Sequence, residues 1–265
     1  MTGARTKLFL VLSGVLSAAA VAQTPEPLNP KVKLLIPYKE YTQEENQKTL
    51  QMFEGLRVAD VSDGMDGIGL AGVGLMDPEI KALWRDTENF THRIIGIAVT
   101  ARYVPTNKRE PRIDRQTEAR WYKEITTEAF QSVLFPGCVL VIDGGDDGDT
   151  RSIGSTNIRS WQKRGAIGVI TTGGVGDTDE IIHHKVPMYY KRLGRGYRPG
   201  RNELESVNRP IMAGGALVRP GDIIVADGDG VVVIPRERAA EVAEASRRFL
   251  DNVGLERYKK RTQQE

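Results

Sequence analysis

The sequence has few of the side chains that build disulfides and zinc sites. It contains one cysteine, Cys138, and three histidines among 265 residues. A single cysteine excludes an internal disulfide, and its setting in "PGCVLVID" predicts a core strand residue rather than a reactive thiol. The adjacent pair His183-His184 cannot share one face of a helix or strand, and no HExxH motif or cysteine partner accompanies it. A zinc site is therefore not indicated.

Several catalytic motifs are also missing. There is no GxSxG, no Walker loop and no GxGxxG with dinucleotide-binding spacing. The sequence thus offers no support for a serine hydrolase of the nucleophile-elbow type or for a nucleotide-binding domain.

The N-terminus has the pattern of an export signal. "MTGARTKLFLVLSGVLSAAAVAQ" places Arg5 and Lys7 before an apolar run that ends in Ala20-Val21-Ala22. This predicts a signal peptide over residues 1–22 and an exported protein, periplasmic or secreted. The apolar run is short and interrupted, so no stable membrane span is expected after cleavage. An uncleaved anchor is the alternative.

An excess of charge of one sign is missing as well. Residues 1–22 carry two basic side chains and no acidic one, so their removal leaves 35 basic against 35 acidic residues. A chain without net charge does not favour nucleic acid or an anionic membrane as its partner.

The rest of the chain predicts one α/β domain behind a short arm. Residues 23–41 contain four prolines and predict an extended arm, and residues 42–265 predict a single domain with an amphipathic C-terminal helix. Thr42 and Glu45 have the spacing of a helix capping box. We interpret Gly64, Gly67 and Gly69 as the loop beyond that helix.

The centre of the chain has a β-loop-α-β pattern. The strand "VLVI" ends at Asp143-Gly144-Gly145, the next helix is predicted to begin at Gly154-Ser155-Thr156, and a second strand covers Gly168–Thr172. This predicts a parallel crossover. Ligands of such units bind beyond the carboxyl ends of the strands, where helix N-terminal amides can meet a carboxylate or phosphate.

Three carboxylates follow the second strand: Asp177, Asp179 and Glu180. Close carboxylates repel one another, and Mg²⁺ prefers oxygen ligands that include one or two carboxylates and several waters. A divalent metal is one interpretation, and a solvated turn paired with Lys185 or Arg192 is the other. The earlier loop with Asp146, Asp147 and Asp149 is either solvated or an accessory metal ligand.

Five segments occur in the order typical of one protein family. They are "RVADVSDGMDGIG", "RIIGIAVTARYVP", "VLVIDGG", "RGAIGVITTGGVGDTDEI" and "MAGGALVRPGDIIVADGDGVVVIP". The chain thereby resembles the RraA-like family, which includes class II 4-hydroxy-4-methyl-2-oxoglutarate aldolases and regulators of ribonuclease E. The resemblance implies an αββα sandwich, trimers or hexamers with sites at subunit interfaces, and Mg²⁺ or Mn²⁺ as cofactor.

The family's site motif is matched only in part. Asp177 stands where the resemblance implies the metal-binding aspartate, and Glu180 matches a later acidic residue. Gly176 replaces the arginine that contacts the substrate, and Ser155 replaces an aspartate. We hypothesise that these two changes separate this chain from aldolase chemistry, which the pair Ser155→Asp with Gly176→Arg tests. Arg151 or Arg192 is a candidate to compensate for the lost arginine.

The sequence as a whole predicts a divalent-metal-dependent lyase, of aldolase or decarboxylase type, acting on a small 2-oxo acid or related oxyacid. A non-catalytic oligomeric scaffold is the main alternative, and a dehydratase is a third. Asp177 and Ser155 are the predicted catalytic residues, and the metal ligands are Asp177, Asp179 and Glu180. The predicted substrate-binding residues are Gly144, Gly145, Gly154, Ser155, Thr156 and Gly176.

Overall fold

The computed structural model describes residues 40–250 apart from 109, 111 and 146. The predicted signal peptide and nearly all of the proline-rich arm lie outside the described residues, as do Asp146 and the basic end of the chain. Within the described part, no helix is both long and apolar enough to cross a membrane.

The described residues form six α-helices and two short 3₁₀ segments. The α-helices are α1 (Gln43–Phe53), α2 (Val58–Gly67), α3 (Arg115–Glu124), α4 (Ser155–Gln162), α5 (Thr178–His183) and α6 (Ala239–Phe249), and the 3₁₀ segments are Ala129–Val133 and Arg236–Arg238. The predicted capping box is confirmed at α1, because Thr42 and Glu45 each accept a hydrogen bond from the backbone N–H of the other.

Ten strands complete the described fold. They are β1 (Lys81–Ala82), β2 (Ile94–Pro105), β3 (Cys138–Asp143), β4 (Ala166–Val175), β5 (Met188–Leu193), β6 (Asn202–Val207), β7 (Ile211–Ala213), β8 (Ala216–Val218), β9 (Ile223–Asp227) and β10 (Gly230–Ile234). Eight of them form one sheet in the order β1-β5-β4-β3-β2-β9-β10, with β6 also paired to β2, while β7 and β8 form a separate hairpin. Strands β2 to β5 run parallel, which confirms the predicted crossover from β3 to β4.

The large sheet curls until its two edges are nearly joined. Leu75 forms an antiparallel bridge to Val232 in β10 at one edge. A few residues later, Lys81 and Ala82 pair with β5 at the other edge. The short segment between them therefore spans the gap and leaves a nearly closed sheet.

Alternation along the strands separates the inside of this sheet from its outside. Val139 and Val141 of β3 share one buried cluster with Ile224 of β9 and with both strands of the hairpin. The intervening residues of β3 face α4 and α5, while those of β9 and β10 face α1, α2 and α6. Because side chains alternate between faces, the layers run helices, sheet, sheet, helices, as the αββα prediction requires.

The interpretation of Gly64 and Gly67 as loop residues is wrong. Both lie inside α2, which packs closely against α6. A Cβ on Gly64 would lie 2.6 Å from the backbone nitrogen of Ser246, and one on Gly67 would lie 2.6 Å from the Phe249 ring. The glycines therefore permit close helix–helix contact, and that packing outweighs their low helix propensity.

Candidate functional site

The candidate site lies where β3 and β4 end and α4 begins. A Cβ on Gly144 would stand 2.2 Å from the Cα of Gly173, so the two strands leave the sheet in direct backbone contact. The segment before α4 returns to this edge, where Ile153 forms a parallel bridge to Val175. Strand β4 continues to Val175 rather than ending at Thr172, which places Asp177 directly at the N-terminus of α5.

Asp177 joins the two loops of the site. Its Oδ2 accepts a hydrogen bond of 3.1 Å from the backbone N–H of Ser155, the first residue of α4. Its Oδ1 lies 3.4 Å from Nη1 of Arg151. The carboxylate remains 34% exposed, so it is held by one short donor and keeps an oxygen open to ligand or water.

The backbone of Asp177 is unusual for a residue with a side chain. Its φ of 50° and ψ of 40° lie in the left-handed region, which aspartate tolerates better than most residues. Such conformations persist where the surrounding structure enforces them and are frequent at ligand sites.

Asp179 and Glu180 do not join Asp177 in a compact cluster. Both are exposed in the first turn of α5. Among the described residues, no group of three or more His, Cys, Asp or Glu side chains is arranged to hold a metal ion. Their predicted roles as metal ligands stay predictions, with water between carboxylate and metal as the arrangement that this spacing allows.

The backbone donors predicted for a substrate already have internal acceptors. The N–H of Gly144 donates to Thr172 Oγ1 at 2.9 Å, that of Gly145 to Asp143 Oδ1 at 3.1 Å, and that of Gly154 to Asn157 Oδ1 at 3.2 Å. Ser155 uses its N–H on Asp177. Their substrate-binding roles stay predictions, and the structure shows them shaping the loops; Thr156 is exposed in the first turn of α4.

The Arg151 side chain occupies the space that a side chain at position 176 would need. A Cβ on Gly176 would lie 2.3 Å from Cδ and 2.6 Å from Cγ of Arg151. The Gly176 N–H donates to the carbonyl of Ile153 at 2.9 Å, which fixes its backbone. The missing side chain therefore lets the Arg151 side chain cross this position on its way to Asp177.

Arg192 does not replace the missing arginine beside Asp177, because its guanidinium pairs with Asp147. Its Nη2 lies 2.7 Å from Asp147 Oδ1, while Asp147 Oδ2 accepts hydrogen bonds from Ser152 Oγ at 2.8 Å and Asn202 Nδ2 at 2.7 Å. The Asp147 side chain is 0% exposed. It is thus neither a solvated residue nor an accessible metal ligand, and both interpretations of it from the sequence are wrong.

Asp149, in the same loop, is exposed and paired. Its carboxylate lies 2.8 Å from Nη2 of Arg195. The hydrogen bonds from Arg195 lower the pKa of Asp149 below its ordinary value. Asp149 therefore remains ionised and paired with Arg195, and it does not contact Asp177 through a described hydrogen bond.

A second polar group, missed from the sequence, supports the start of α4. Glu128 accepts from Nδ2 of Asn157 and, at 2.8 Å, from Nε1 of Trp161, both in α4. Asn157 in turn accepts from the N–H of Gly154. No sequence signal marks Glu128, because Asn157 and Trp161 lie about thirty residues further along the chain.

Tyr122, Tyr197 and Glu118 form another group that sequence reasoning missed. The Tyr197 hydroxyl interacts with Glu118, and burial together with that contact raises the pKa of Tyr197 to about 12. Burial also raises the pKa of Tyr122. The positive charge of Arg151 acts in the opposite direction and lowers the pKa of both tyrosines.

The one carboxylate available here suits a metal ion that keeps most of its water ligands, rather than one enclosed by protein ligands. Mg²⁺ is commonly held by one or two carboxylates and several waters, and Asp177 supplies one partly exposed carboxylate. The neighbouring guanidinium of Arg151 repels a cation, so binding there requires Arg151 to turn towards another anion. Asp177 is the described residue that fits as a direct ligand.

The chain was compared with known proteins. The Aldolase/RraA profile of the RraA-like family matches residues 58–233. The protein DlpA of Legionella pneumophila is 28% identical over 195 residues, which cover 73% of this chain and 28% of that protein. A 4-hydroxy-4-methyl-2-oxoglutarate aldolase of Thermus thermophilus is 32% identical over 103 residues, covering 37% of this chain and 60% of the aldolase. The chain thus matches less than two thirds of either relative.

Solved structures agree on the fold. RraAS2 of Streptomyces coelicolor, described as an unusual member of the RNase ES inhibitor RraA protein family, superposes with a TM-score of 0.64 at 22% identity. The match covers 83% of this chain and 99% of that one. At this identity the likeness concerns the fold alone.

Proposed function

The chain belongs to the Aldolase/RraA family, and from this premise we propose that it is a lyase, of aldolase or decarboxylase type, for a small 2-oxo acid or related oxyacid. The observation that carries the proposal is the position of Asp177. A partly exposed carboxylate is fixed by the first N–H of α4 at the carboxyl edge of parallel strands. That edge is where such sheets bind ligands.

We further propose that Asp177 holds Mg²⁺ or Mn²⁺, with Asp179 and Glu180 accepting hydrogen bonds from the surrounding water. When bound there, a divalent ion would supply Lewis acidity towards the carbonyl of a 2-oxo acid. Ser155 contributes through its N–H, which orients the Asp177 carboxylate, and Glu128 and Asn157 hold that end of α4 in place. The contacts around Gly144, Gly145 and Gly154 keep the two loops together.

Location and assembly belong to the same proposal. The N-terminal pattern supports export to the periplasm or the outside of the cell, and family membership supports a homotrimer or homohexamer. Neither nucleic acid nor a membrane is proposed as a partner, because the charge of the chain without residues 1–22 is balanced.

A non-catalytic oligomeric scaffold is the second candidate. It is favoured by Gly176 and Ser155, which depart from the aldolase motif, and by the internal hydrogen bonds of the loop amides. In that case Asp177 would serve only to link α4 to α5.

Turnover separates the two candidates. We expect the protein without residues 1–22 to release pyruvate from 4-hydroxy-4-methyl-2-oxoglutarate or to decarboxylate oxaloacetate, with rates above the Mn²⁺-only background. Asp177→Asn should reduce kcat/KM at least about 100-fold, as loss of a metal-holding or transition-state contact does. Asp63→Asn, which removes an exposed carboxylate of α2, serves as control. Activity absent from the wild type on both substrates would favour the scaffold.

A further inference from the structure

We infer that Arg151 binds a carboxylate of the substrate in this protein. The inference rests on the proposed function for the identity of the substrate, but its structural argument concerns Arg151, Gly176 and Asp177 alone. It assigns a binding role to a residue in the loop before α4, outside the strand-end segment that carries Asp177.

The first argument is the space over Gly176. The Arg151 side chain fills the volume that a side chain on Gly176 would need, with Cδ 2.3 Å from the place of its Cβ. Gly176 is not among the residues with positive φ, so its backbone does not require glycine. A side chain there is excluded instead by the Arg151 side chain and, at 3.2 Å, by the carbonyl oxygen of Gly194.

The second argument is that the base of Arg151 is fixed. Its N–H donates to the carbonyl of Gly196 at 2.7 Å, and the next residue, Ser152, donates to the carbonyl of Gly174 at 2.9 Å. A Cβ on Gly194 would lie 2.0 Å from the carbonyl oxygen of Thr150. The segment is thus clamped between the end of β4 and the loop after β5, which limits where the guanidinium can reach.

The third argument is spare hydrogen-bonding capacity. Among the described residues, Asp177 is the one acceptor of the Arg151 side chain, and the contact is long at 3.4 Å. A guanidinium carries five N–H donors and binds carboxylates best as a two-pronged fork. The Arg151 side chain is 44% exposed, so donors remain for an incoming anion.

The neighbouring arginines have other partners. Arg192 and Arg195 pair with Asp147 and Asp149, respectively. Arg198 is buried over the Tyr103 ring, 4.5 Å from its centroid. Arg151 is therefore the guanidinium next to Asp177 that can accept a new carboxylate without breaking a short ion pair.

A cation at Asp177 would also change what the Arg151 guanidinium pairs with. A cation bound by Asp177 weakens the attraction between that carboxylate and Arg151, and it repels the guanidinium. Arg151 then gains most by pairing with a substrate carboxylate beside the cation.

Moving the arginine from position 151 to position 176 tests the inference. Wild type, Arg151→Gln, Arg151→Lys, Arg151→Ala, Gly176→Arg and the pair Arg151→Ala with Gly176→Arg are compared by pyruvate calorimetry at saturating Mn²⁺ and by oxaloacetate kinetics. Arg164→Gln, an exposed arginine beyond the far end of α4, controls for the lost charge. Urea unfolding confirms that each variant is folded, and Mn²⁺ titration checks the site at Asp177.

We expect Arg151→Gln to weaken pyruvate binding and raise KM about 10- to 100-fold, the usual effect of losing a hydrogen bond to a charged group. Mn²⁺ affinity and stability should stay near those of the wild type. Arg151→Lys should recover only part of the affinity, because lysine lacks the fork. The pair Arg151→Ala with Gly176→Arg should bind pyruvate more tightly than Arg151→Ala alone, because alanine removes Cγ and Cδ from the space over Gly176 and the new arginine returns a guanidinium there.

Other outcomes distinguish a failure of the inference about Arg151 from a failure of the proposed function. If Arg151→Gln binds pyruvate as the wild type does while turnover persists, the inference is overturned and the proposed function remains. If the wild type shows no turnover but binds pyruvate through Arg151, the proposed function fails and the inference is supported. If the wild type neither binds pyruvate nor turns over oxaloacetate, both fail; turnover without pyruvate binding overturns the inference and leaves the proposed function.

Discussion

Two loops of this protein look alike in sequence and behave differently in the fold. The β3–α4 loop and the stretch from the end of β4 into the first turn of α5 both combine glycines with several carboxylates. In the first, the Asp147 side chain is 0% exposed and is bound by Arg192, Ser152 and Asn202. In the second, the Asp177 side chain is 34% exposed and has one short donor, the N–H of Ser155.

The difference in exposure makes Asp147 a structural carboxylate, whereas Asp177 remains available to a ligand. A buried charge is stable only when its lone pairs are satisfied, and Asp147 meets that requirement within the protein. Asp177 leaves part of its capacity to solvent, so a ligand can bind there without dismantling the fold. Asp147 therefore contributes to stability, and we propose that Asp177 contributes to function.

The largest effect is expected at Asp147. Asp147→Asn should lower the free energy of unfolding by about 3–5 kcal/mol, because it removes the buried carboxylate that pairs with Arg192 and accepts from Ser152 and Asn202. Urea unfolding measures this, and Asp149→Asn in the same loop is the matched control with an exposed carboxylate. Equal stability of the two variants would remove the contrast between buried and open carboxylates.

A third carboxylate, Asp222, extends the comparison to pH. It is buried with two backbone N–H donors, from Arg219 and Arg236, and burial raises its pKa to about 6 from 3.8. The folded protein then binds the proton more tightly than the unfolded chain. The contribution to stability is therefore full below about pH 4 and is lost as pH rises through about 6.

The resulting loss between pH 4 and pH 7 is about 3 kcal/mol from this group. Urea unfolding across that range should show the decline in wild type and a flatter profile in Asp222→Asn. Asp229→Asn, an exposed neighbour, should keep the wild-type slope. A slope unchanged by Asp222→Asn would show that Asp222 does not titrate as described.

Glu128 gives an intermediate effect, because it supports the functional loop from beneath. Glu128→Gln should cost about 1–3 kcal/mol, since the amide presents donors to Asn157 and Trp161, which are donors themselves. The measurement is urea unfolding beside Glu124→Gln, an exposed residue at the end of α3. A loss no greater than in Glu124→Gln would exclude Glu128 as a support of α4.

The smallest effect on stability is expected at Asp177 itself. Asp177→Asn should change the free energy of unfolding by less than about 1 kcal/mol, because a partly exposed ion pair contributes little and asparagine tolerates positive φ. Thermal and urea unfolding check this against Asp63→Asn. A loss as large as that of Asp147→Asn would make Asp177 a structural residue instead.

Much of the fold was predictable because local signals agreed with it. Thr42 and Glu45 have the spacing of a capping box, and the β-loop-α-β pattern around Ser155 has one common solution, the parallel crossover. The prediction for Gly64 and Gly67 was wrong because these glycines are required by a close contact with α6, almost two hundred residues away. Local propensity cannot reveal such packing.

The site was predictable only in its position. Asp177 and Ser155 are brought together as the spacing indicated, by a hydrogen bond of 3.1 Å. The burial of Asp147 depends on Asn202, which lies in β6 and carries no recognisable motif. The partner of Asp177 depends on which of several arginines reaches it, and that is set by the space over Gly176 rather than by any sequence pattern.

The most direct test of the account is Mn²⁺ calorimetry on the wild type and Asp177→Asn, each verified as folded. The account predicts near-stoichiometric Mn²⁺ binding by the wild type and its loss in Asp177→Asn, with unfolding free energies within about 1 kcal/mol of each other. Equal Mn²⁺ binding by both proteins, or none by the wild type, would contradict the assignment of Asp177 as the open, ligand-binding carboxylate.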